Sequence, residues 1–146
     1  MTRVLSIDPG KNKCGLVLAE INEKKVYEAI IIKSELIEDY VRNLNNLENI
    51  SKIIIGNGTT SRQITEKLDF FKKKIITFEE KNTTYRAKER YFELFPIRGL
   101  QSLIPREVFL LNKNLDAISA LIILEDYCKI QFTLNQNIDF KTWLKW

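Results

Sequence analysis

Hydrophobic residues in the first third of this 146-residue chain fall in short apolar runs that predict strands. Residues 3–8, 14–21 and 25–33 form three such runs, and the polar Asn-Glu-Lys between the second and third favours a hairpin. Ser34 can then cap a helix, because the apolar positions that follow it recur with helical spacing: Leu36, Ile37, Tyr40, Val41, Leu44 and Leu47. The pattern therefore predicts three strands followed by a helix.

The remainder of the chain alternates buried strands with helices. Residues 51–58 (SKIIIGNG) are a continuous apolar run ended by glycine, which is typical of a strand buried on both faces. A helix follows in TTSRQITEKLDFFKK, and KIITFEE is predicted to be another buried strand. A basic amphipathic helix is predicted from Thr84 to Phe95, and after a Pro-bounded loop an apolar helix over 114–128. This order predicts an α/β fold with a mixed five-stranded sheet flanked by helices, forming one domain over residues 1–146.

Composition narrows the class of protein. Hydrophobic residues make up 45% and charged residues 29%, which is typical of a globular domain. No apolar stretch approaches the roughly 20 residues that span a bilayer, and the N-terminus lacks a signal-peptide layout, so we expect a cytoplasmic protein. Two cysteines, Cys14 and Cys128, are too few for a disulfide framework or a zinc site, and their apolar surroundings favour core packing.

The absence of histidine and the placement of charge restrict the chemistry. With no histidine, Ser-His-Asp and Cys-His nucleophile systems are excluded, so catalysis must use carboxylates, Lys, Tyr, Ser/Thr or a hard metal ion. The net charge is +4, and residues 62–106 hold 11 basic and 6 acidic residues while the rest of the chain has a net charge of −1. This basic segment suggests a polyanionic partner such as nucleic acid; a solvated lysine-rich surface is the alternative.

Acidic residues fall where elements of the predicted sheet begin or end. Asp8 ends the first strand, Glu79 and Glu80 end the last, and Asp116 opens the final helix. Such positions gather outside the carboxyl ends of central strands, where converging carboxylates repel one another. A divalent cation such as Mg²⁺, which prefers oxygen ligands, would relieve that repulsion. For Asp8, forming the turn before Pro9 is the alternative role.

Three segments resemble those of RuvC-type Holliday-junction resolvases and their YqgF-type relatives. They are Asp8-Pro9-Gly10 with Gly15, residues 78–84 (FEEKNTT) and residues 115–121 (LDAISAL), in the order of that family. The resemblance implies a ribonuclease H-like fold and a catalytic, metal-binding triad of Asp8, Glu80 and Asp116, with Mg²⁺ or Mn²⁺ as cofactor. Glu79 is the neighbouring candidate, but strand alternation sends it to the opposite face. Lys113 stands where RuvC-type enzymes carry a further acid, so the YqgF-type triad is the closer match.

The resemblance also implies an activity. A nuclease of this type would hydrolyse phosphodiester bonds in structured nucleic acid, either Holliday-junction DNA or the precursor of 16S ribosomal RNA. A non-catalytic nucleic-acid-binding module on the same fold is the alternative. An ATP-binding member of the actin-like group is disfavoured, because 146 residues leave no room for a second domain. RuvC-type resolvases act as dimers, so a homodimer is one expectation, with the final helix and the tail bearing Trp143 and Trp146 as its candidate surfaces.

Several residues around the triad are candidates for supporting roles. Those predicted to contact nucleic acid are Lys13, Arg86, Lys88, Arg90 and Arg106. Lys13 could instead steady the acids or be a solvated turn residue. Thr83 and Thr84 are predicted to begin a helix, with a hydrogen bond to Glu80 as a second role. The aromatic residues Tyr85, Tyr91, Phe92 and Phe95 are predicted to pack in the core rather than stack on bases.

Overall fold

The computed structural model describes residues 2–110, 114–136 and 138. Its strands are β1 (Arg3–Asp8), β2 (Lys13–Glu20), β3 (Lys25–Lys33), β4 (Ile50–Gly56), β5 (Lys74–Phe78) and β6 (Thr133–Leu134). They form a single mixed sheet in the order β5-β4-β1-β2-β3-β6. β1 pairs antiparallel with β2 and parallel with β4, so it lies inside the sheet. The predicted mixed α/β architecture is therefore confirmed, with the first strand central.

The described residues contain five α-helices, which cover the two faces of the sheet. They are α1 (Ile37–Arg42), α2 (Ser61–Lys67), α3 (Thr83–Leu94), α4 (Arg106–Leu110) and α5 (Asp116–Cys128). Helix α5 is the central one, because residues 117–124 are all buried. Burial of each large aliphatic side chain stabilises the fold by about 1.5–3 kcal/mol. Because α5 is buried within the domain, it offers little surface for the predicted dimer contact.

Alternation along the central strands divides the core in two. Leu5 packs with residues of α1 and α2, whereas Val4 packs on the other face with residues of α3 and α5. Ser6 is also on the α5 face, where its buried hydroxyl donates a 2.8 Å hydrogen bond to the carbonyl of Ala120. Asp8 follows Ser6 by two residues, so the same alternation directs it to the face that α5 covers.

Two predictions about the sheet need correction. The sheet has six strands rather than five, because Thr133–Leu134 pairs parallel with the start of β3. A two-residue strand carries no periodic pattern, and it forms only because the chain leaving α5 runs along that edge. β5 was expected to be buried on both faces, yet it is an edge strand whose residues are partly buried or exposed.

The region after β3 also differs from expectation. The apolar spacing of residues 36–47 predicts one continuous helix, but α1 has only six residues and is flanked by 3-10 turns at Ser34–Leu36 and Leu47–Asn49. Ser34 does not cap it, because its hydroxyl donates to the carbonyl of Gly10 at 2.7 Å. The Ser34 hydroxyl, which the local sequence predicts as a helix cap, is therefore used in a tertiary contact with the β1–β2 turn. Among the described residues, none of the helices has both the length and the apolar character needed to cross a membrane.

Candidate active site

The three predicted acids come together at one end of the sheet. Asp8 is the last residue of β1, Glu80 follows β5 by two residues, and Asp116 is the first residue of α5. Asp8 and Asp116 line one cavity of about 340 Å³. The negative charges of Glu80 and Asp116 both act on the carboxyl group of Asp8. Three chain segments separated by 36 residues or more in the sequence therefore converge on one site.

Asp8 is the most strongly perturbed of these acids. Burial, followed by the charges of Glu80 and Asp116, raises its pKa from 3.8 to about 7. Both causes disfavour the ionised form, since burial removes hydration and the neighbours repel a further negative charge. The carboxyl group would be stabilised as an anion by any cation placed between these side chains.

Glu80 is held in a space that a glycine leaves open. A Cβ atom added at Gly56, the last residue of β4, would lie 3.0 Å from both carboxylate oxygens of Glu80 and 2.8 Å from Ile123 Cδ1. Burial raises the pKa of Glu80, a hydrogen bond from Thr83 opposes that rise, and the charge of Asp126 adds to it. Its buried Oε2 has no hydrogen-bond partner within the described part of the chain. Glu79 is exposed.

Asp116 is brought to the site by a close approach of α5 to β2. A Cβ atom at Gly15 would overlap the backbone carbonyl of Asp116, so only glycine permits this contact. Lys13 Nζ lies 3.3 Å from Asp116 Oδ2 and also donates to the side-chain oxygen of Asn114. Lys13 therefore steadies one acid of the group, as one of its predicted roles required. Asn114 is not distinguished as a site residue by its sequence, because an asparagine before a helix is equally typical of a cap.

Thr83 combines its two predicted roles, because it begins α3 and donates the hydrogen bond to Glu80. Further along α3, Thr84 and Lys88 line the same cavity as Asp8. Lys88 is exposed and forms no ion pair within the described residues. It is therefore the basic candidate best placed to meet a phosphate bound beside the acids.

Of the other basic candidates, two form ion pairs within the fold and one is exposed on the surface. Arg86 forms a two-pronged ion pair with Asp126, with Nη2 to Oδ1 at 2.6 Å. Arg90 is 12% exposed and bonds both Glu125 Oε1 and the carbonyl of Phe132 at 2.9 Å. These two arginines join α3 to α5, and both are already paired with acidic side chains. Arg106 is exposed, with its guanidinium 4.9 Å from the centre of the Phe92 ring.

The aromatic residues of α3 do not all follow the core prediction. Tyr91 is buried, while Phe92 and Phe95 are partly buried against the same cluster. Tyr85 is 65% exposed, so the expectation that it packs in the core is wrong. It is six residues from the buried Tyr91, a separation that turns it by about 120° around α3 and away from the core-facing side. Lys113, Trp143 and Trp146 lie outside the described residues.

The carboxylates of this site are the ligands that a hard divalent cation prefers, and such an ion would relieve their mutual repulsion. It would also give a partner to the buried Glu80 Oε2, which has none among the described residues. Mg²⁺ uses one or two protein carboxylates and completes its shell with water and substrate phosphate. No group of three acidic, cysteine or histidine side chains close enough to ligate one ion is found among the residues described. Within the described part of the chain, Asp116 pairs with Lys13, whereas Asp8 and Glu80 have no ion-pair partner. The site therefore fits an ion whose shell a substrate completes.

Comparison with known proteins places the fold. The chain matches no protein-family model and no curated protein sequence. Among solved structures it is similar to RuvC of T. thermophilus in complex with a Holliday junction substrate, with a TM-score of 0.52 and 12% identity. The match covers 88% of this chain and 96% of that one. The chain has a RuvC-like ribonuclease H fold. At this identity the likeness to RuvC shows the fold alone.

Proposed function

We propose that this chain is a divalent-metal-dependent nuclease that hydrolyses phosphodiester bonds in structured nucleic acid, with Mg²⁺ or Mn²⁺ as cofactor. The observation that carries the proposal is the group of under-neutralised carboxylates, Asp8 and Glu80 beside Asp116, at the carboxyl end of β1. A fold alone does not determine a function. Buried carboxylates held close together lower the stability of the fold, so their presence here favours a functional role such as metal binding. The RuvC-like fold is consistent with this activity.

In the proposed site each residue has a separate role. Asp8 and Glu80, with Asp116 beside them, would hold the metal, which when bound supplies Lewis-acid polarisation of the phosphate and a more acidic water. Thr83 holds the Glu80 carboxyl by a hydrogen bond, and Lys13 holds Asp116. Lys88, on the cavity wall, meets the phosphate charge. Water attack on phosphorus breaks the P–O bond to the sugar, leaving a phosphate on one fragment and a hydroxyl on the other.

The proposed substrate is nucleic acid with a branched or folded shape. The motifs at Asp8, Glu80 and Asp116 resemble the YqgF-type arrangement, so precursor 16S ribosomal RNA and four-way DNA junctions are the two substrates to compare. Shape-dependent binding uses backbone contacts, for which Lys88 and Arg106 are exposed. We propose a homodimer only for cleavage of a four-way junction, because its two strands must be cut symmetrically.

Cleavage assays on the full chain test the proposal directly. Labelled four-way DNA junction, linear duplex and precursor ribosomal RNA are incubated with Mg²⁺ or Mn²⁺, using wild type, Asp8→Asn and Asp116→Asn. We expect one substrate to be cut, with losses on the order of 1000-fold or more in both variants, equal to several kcal/mol of transition-state stabilisation. Asp69→Asn, an exposed acid beyond α2, is the matched control and keeps full activity.

Binding separates the nuclease from the alternative. If the variants bind nucleic acid as tightly as wild type but do not cut it, the nuclease assignment stands. The Lys13–Asp116 pair is the observation that favours a non-catalytic binding module, because it neutralises one acid without a metal. Wild type that binds but cuts nothing with either ion establishes that alternative. Wild type that neither binds nor cuts overturns the proposal.

A further inference from the structure

The acid site already contains a cation that belongs to the chain itself. Lys13, the first residue of β2, places its Nζ atom 3.3 Å from Asp116 Oδ2 and donates a hydrogen bond to the side-chain oxygen of Asn114. Its side chain is 32% exposed and lines the same cavity of about 340 Å³ as Asp8 and Asp116. The ammonium group of Lys13 therefore lies inside the acid site.

Strand alternation explains how a lysine reaches the acids. Cys14 packs with residues of α1 and α2, so its two neighbours in β2, Lys13 and Gly15, face the opposite side of the sheet, which α5 covers. On that side Gly15 meets the backbone carbonyl of Asp116. The close approach of β2 to α5 therefore brings the ammonium group of Lys13 within ion-pair distance of the Asp116 carboxylate.

The charges of the acid site are balanced by one divalent ion. Asp8, Glu80 and Asp116 carry three negative charges when all of them are ionised, and Lys13 offsets one of these charges. The two that remain equal the charge of a single Mg²⁺ or Mn²⁺ ion. Lys88 also lines the cavity, but it forms no ion pair with the acids among the described residues, so its charge is left for a substrate phosphate.

The arrangement of the carboxylates leads to the same number of ions. Sites with two metal ions hold them about 3.5–4 Å apart and surround both with oxygen ligands. Here Asp116 Oδ2 already contacts Lys13, so a second divalent ion at Asp116 would lie against a group of the same charge. Asp8 and Glu80 are left for the metal, and the buried Glu80 Oε2 has no hydrogen-bond partner among the residues described.

We propose that the ammonium group of Lys13 takes the place of a second metal ion at the acid site, so that the chain binds one divalent ion at Asp8 and Glu80 and keeps Asp116 paired with Lys13. The inference rests on the proposed function and deepens it, because it fixes the number of metal ions that the site takes. Lys13 is a positioning residue in this arrangement, since it acts through the carboxylate of Asp116.

Binding of Mn²⁺ to the full chain tests the number of ions. The probe is Mn²⁺ alone, titrated without nucleic acid and followed by calorimetry and by electron paramagnetic resonance, which detects the magnetic coupling between two ions bound close together. Wild type should bind one uncoupled Mn²⁺ ion per chain. Lys13→Met keeps the length of the side chain without its charge, so it should bind a coupled pair of ions and roughly double the uptake of Mn²⁺.

Two further variants make the result specific. Lys13→Arg keeps the positive charge and should bind one uncoupled ion, as wild type does. The matched control is Lys11→Met, which removes an exposed lysine from the same turn, on the wall of a different cavity, and it should also bind one ion. Thermal melts of every variant in EDTA establish that each one is folded before Mn²⁺ is added.

The outcomes distinguish the two proposals. A coupled pair of ions in wild type, or a single ion in folded Lys13→Met, overturns the role of Lys13 while the nuclease proposal stands. If neither wild type nor any variant binds Mn²⁺, the proposed metal-dependent function fails and the role of Lys13 with it. If Lys13→Met does not fold, the wild-type spectrum decides, because an uncoupled ion supports the proposal and a coupled pair overturns it.

Discussion

The two ends of helix α5 differ in whether all the acidic side chains around them have cationic partners. At its carboxyl-terminal end Glu125 and Asp126 are each paired with an arginine of α3, at 2.9 Å and 2.6 Å. At its amino-terminal end Asp116 also pairs with a cation, Lys13, but the nearby Asp8 and Glu80 have no ion-pair partner among the described residues. The same helix thus carries acids that hold the fold together and an acid placed where repulsion is left unresolved.

This difference separates a structural use of charge from a functional one. Ion pairs whose partners lie inside the protein are satisfied without any ligand, so they can join α3 to α5. Burial and then the charges of Glu80 and Asp116 raise the pKa of Asp8, and a bound cation would stabilise the ionised carboxylate. Substitutions at the paired carboxylates and at the acid site should therefore change stability by different amounts and in opposite directions.

The largest loss of stability is expected at the paired end. Glu125→Ala should lower the free energy of unfolding by about 3–5 kcal/mol, because Arg90, only 12% exposed, would lose its buried partner and Phe132 the acceptor of its amide. Urea denaturation measures the change, and Glu125→Gln, which keeps an acceptor, should lose less. A loss below about 1 kcal/mol for Glu125→Ala would contradict the structural role of this pair.

The next effect tests the close approach that positions Asp116. Gly15→Ala should cost about 1–3 kcal/mol, because the new methyl group overlaps the Asp116 carbonyl and α5 must move. Cleavage should fall with stability, since Asp116 moves too. Gly58→Ala is the matched control, because its nearest neighbour, Pro9 Cγ, is 3.8 Å away, and it should change neither property. Equal stability of the two variants would contradict the contact.

At the acid site beside the amino-terminal end of α5, removal of the Asp8 charge should stabilise the protein. The folded-state pKa of Asp8 is about 7, above its value of about 4 in the unfolded chain, so the folded protein loses stability as pH rises between these values. In EDTA at pH 8, Asp8→Asn should raise the melting temperature by roughly 3–6 °C, and this gain should shrink at pH 4. Added Mg²⁺ should stabilise wild type more than the variant. A melting temperature lowered at pH 8 would contradict the repulsion.

The smallest effect is expected at the exposed pair. Asp126→Asn should cost at most about 1 kcal/mol, since Arg86 is 42% exposed and solvent screens the interaction. Arg86 holds the pKa of Asp126 below its usual range, so the contribution is present near neutral pH and disappears as pH falls through that lowered pKa. Thermal melts in low and high salt measure it, and the cost should decrease in salt. A salt-independent loss above about 2 kcal/mol would show that this pair behaves as a buried one.

The sequence by itself determined the strands β1 to β4, the extents of α3 and α5, and the positions of the acids along the chain. These features depend on local properties: apolar runs, helical spacing, and a carboxylate placed at the end of a strand. Strand alternation also places Asp8 on the face that α5 covers, because a period of two is set by the backbone alone.

Which side chains contact one another, in contrast, depends on the folded structure. The length of α1 and the pairing of β6 depend on neighbours distant in sequence, and so does the division of arginines between structure and surface. Arg90 and Lys88 are both basic residues on one helix, yet one faces Glu125 and the other an open cavity. Tyr85 is exposed while Tyr91 is buried for the same reason. Local sequence sets which groups are present, but solvent exposure and ion pairing are properties of surfaces that meet only when the chain is folded.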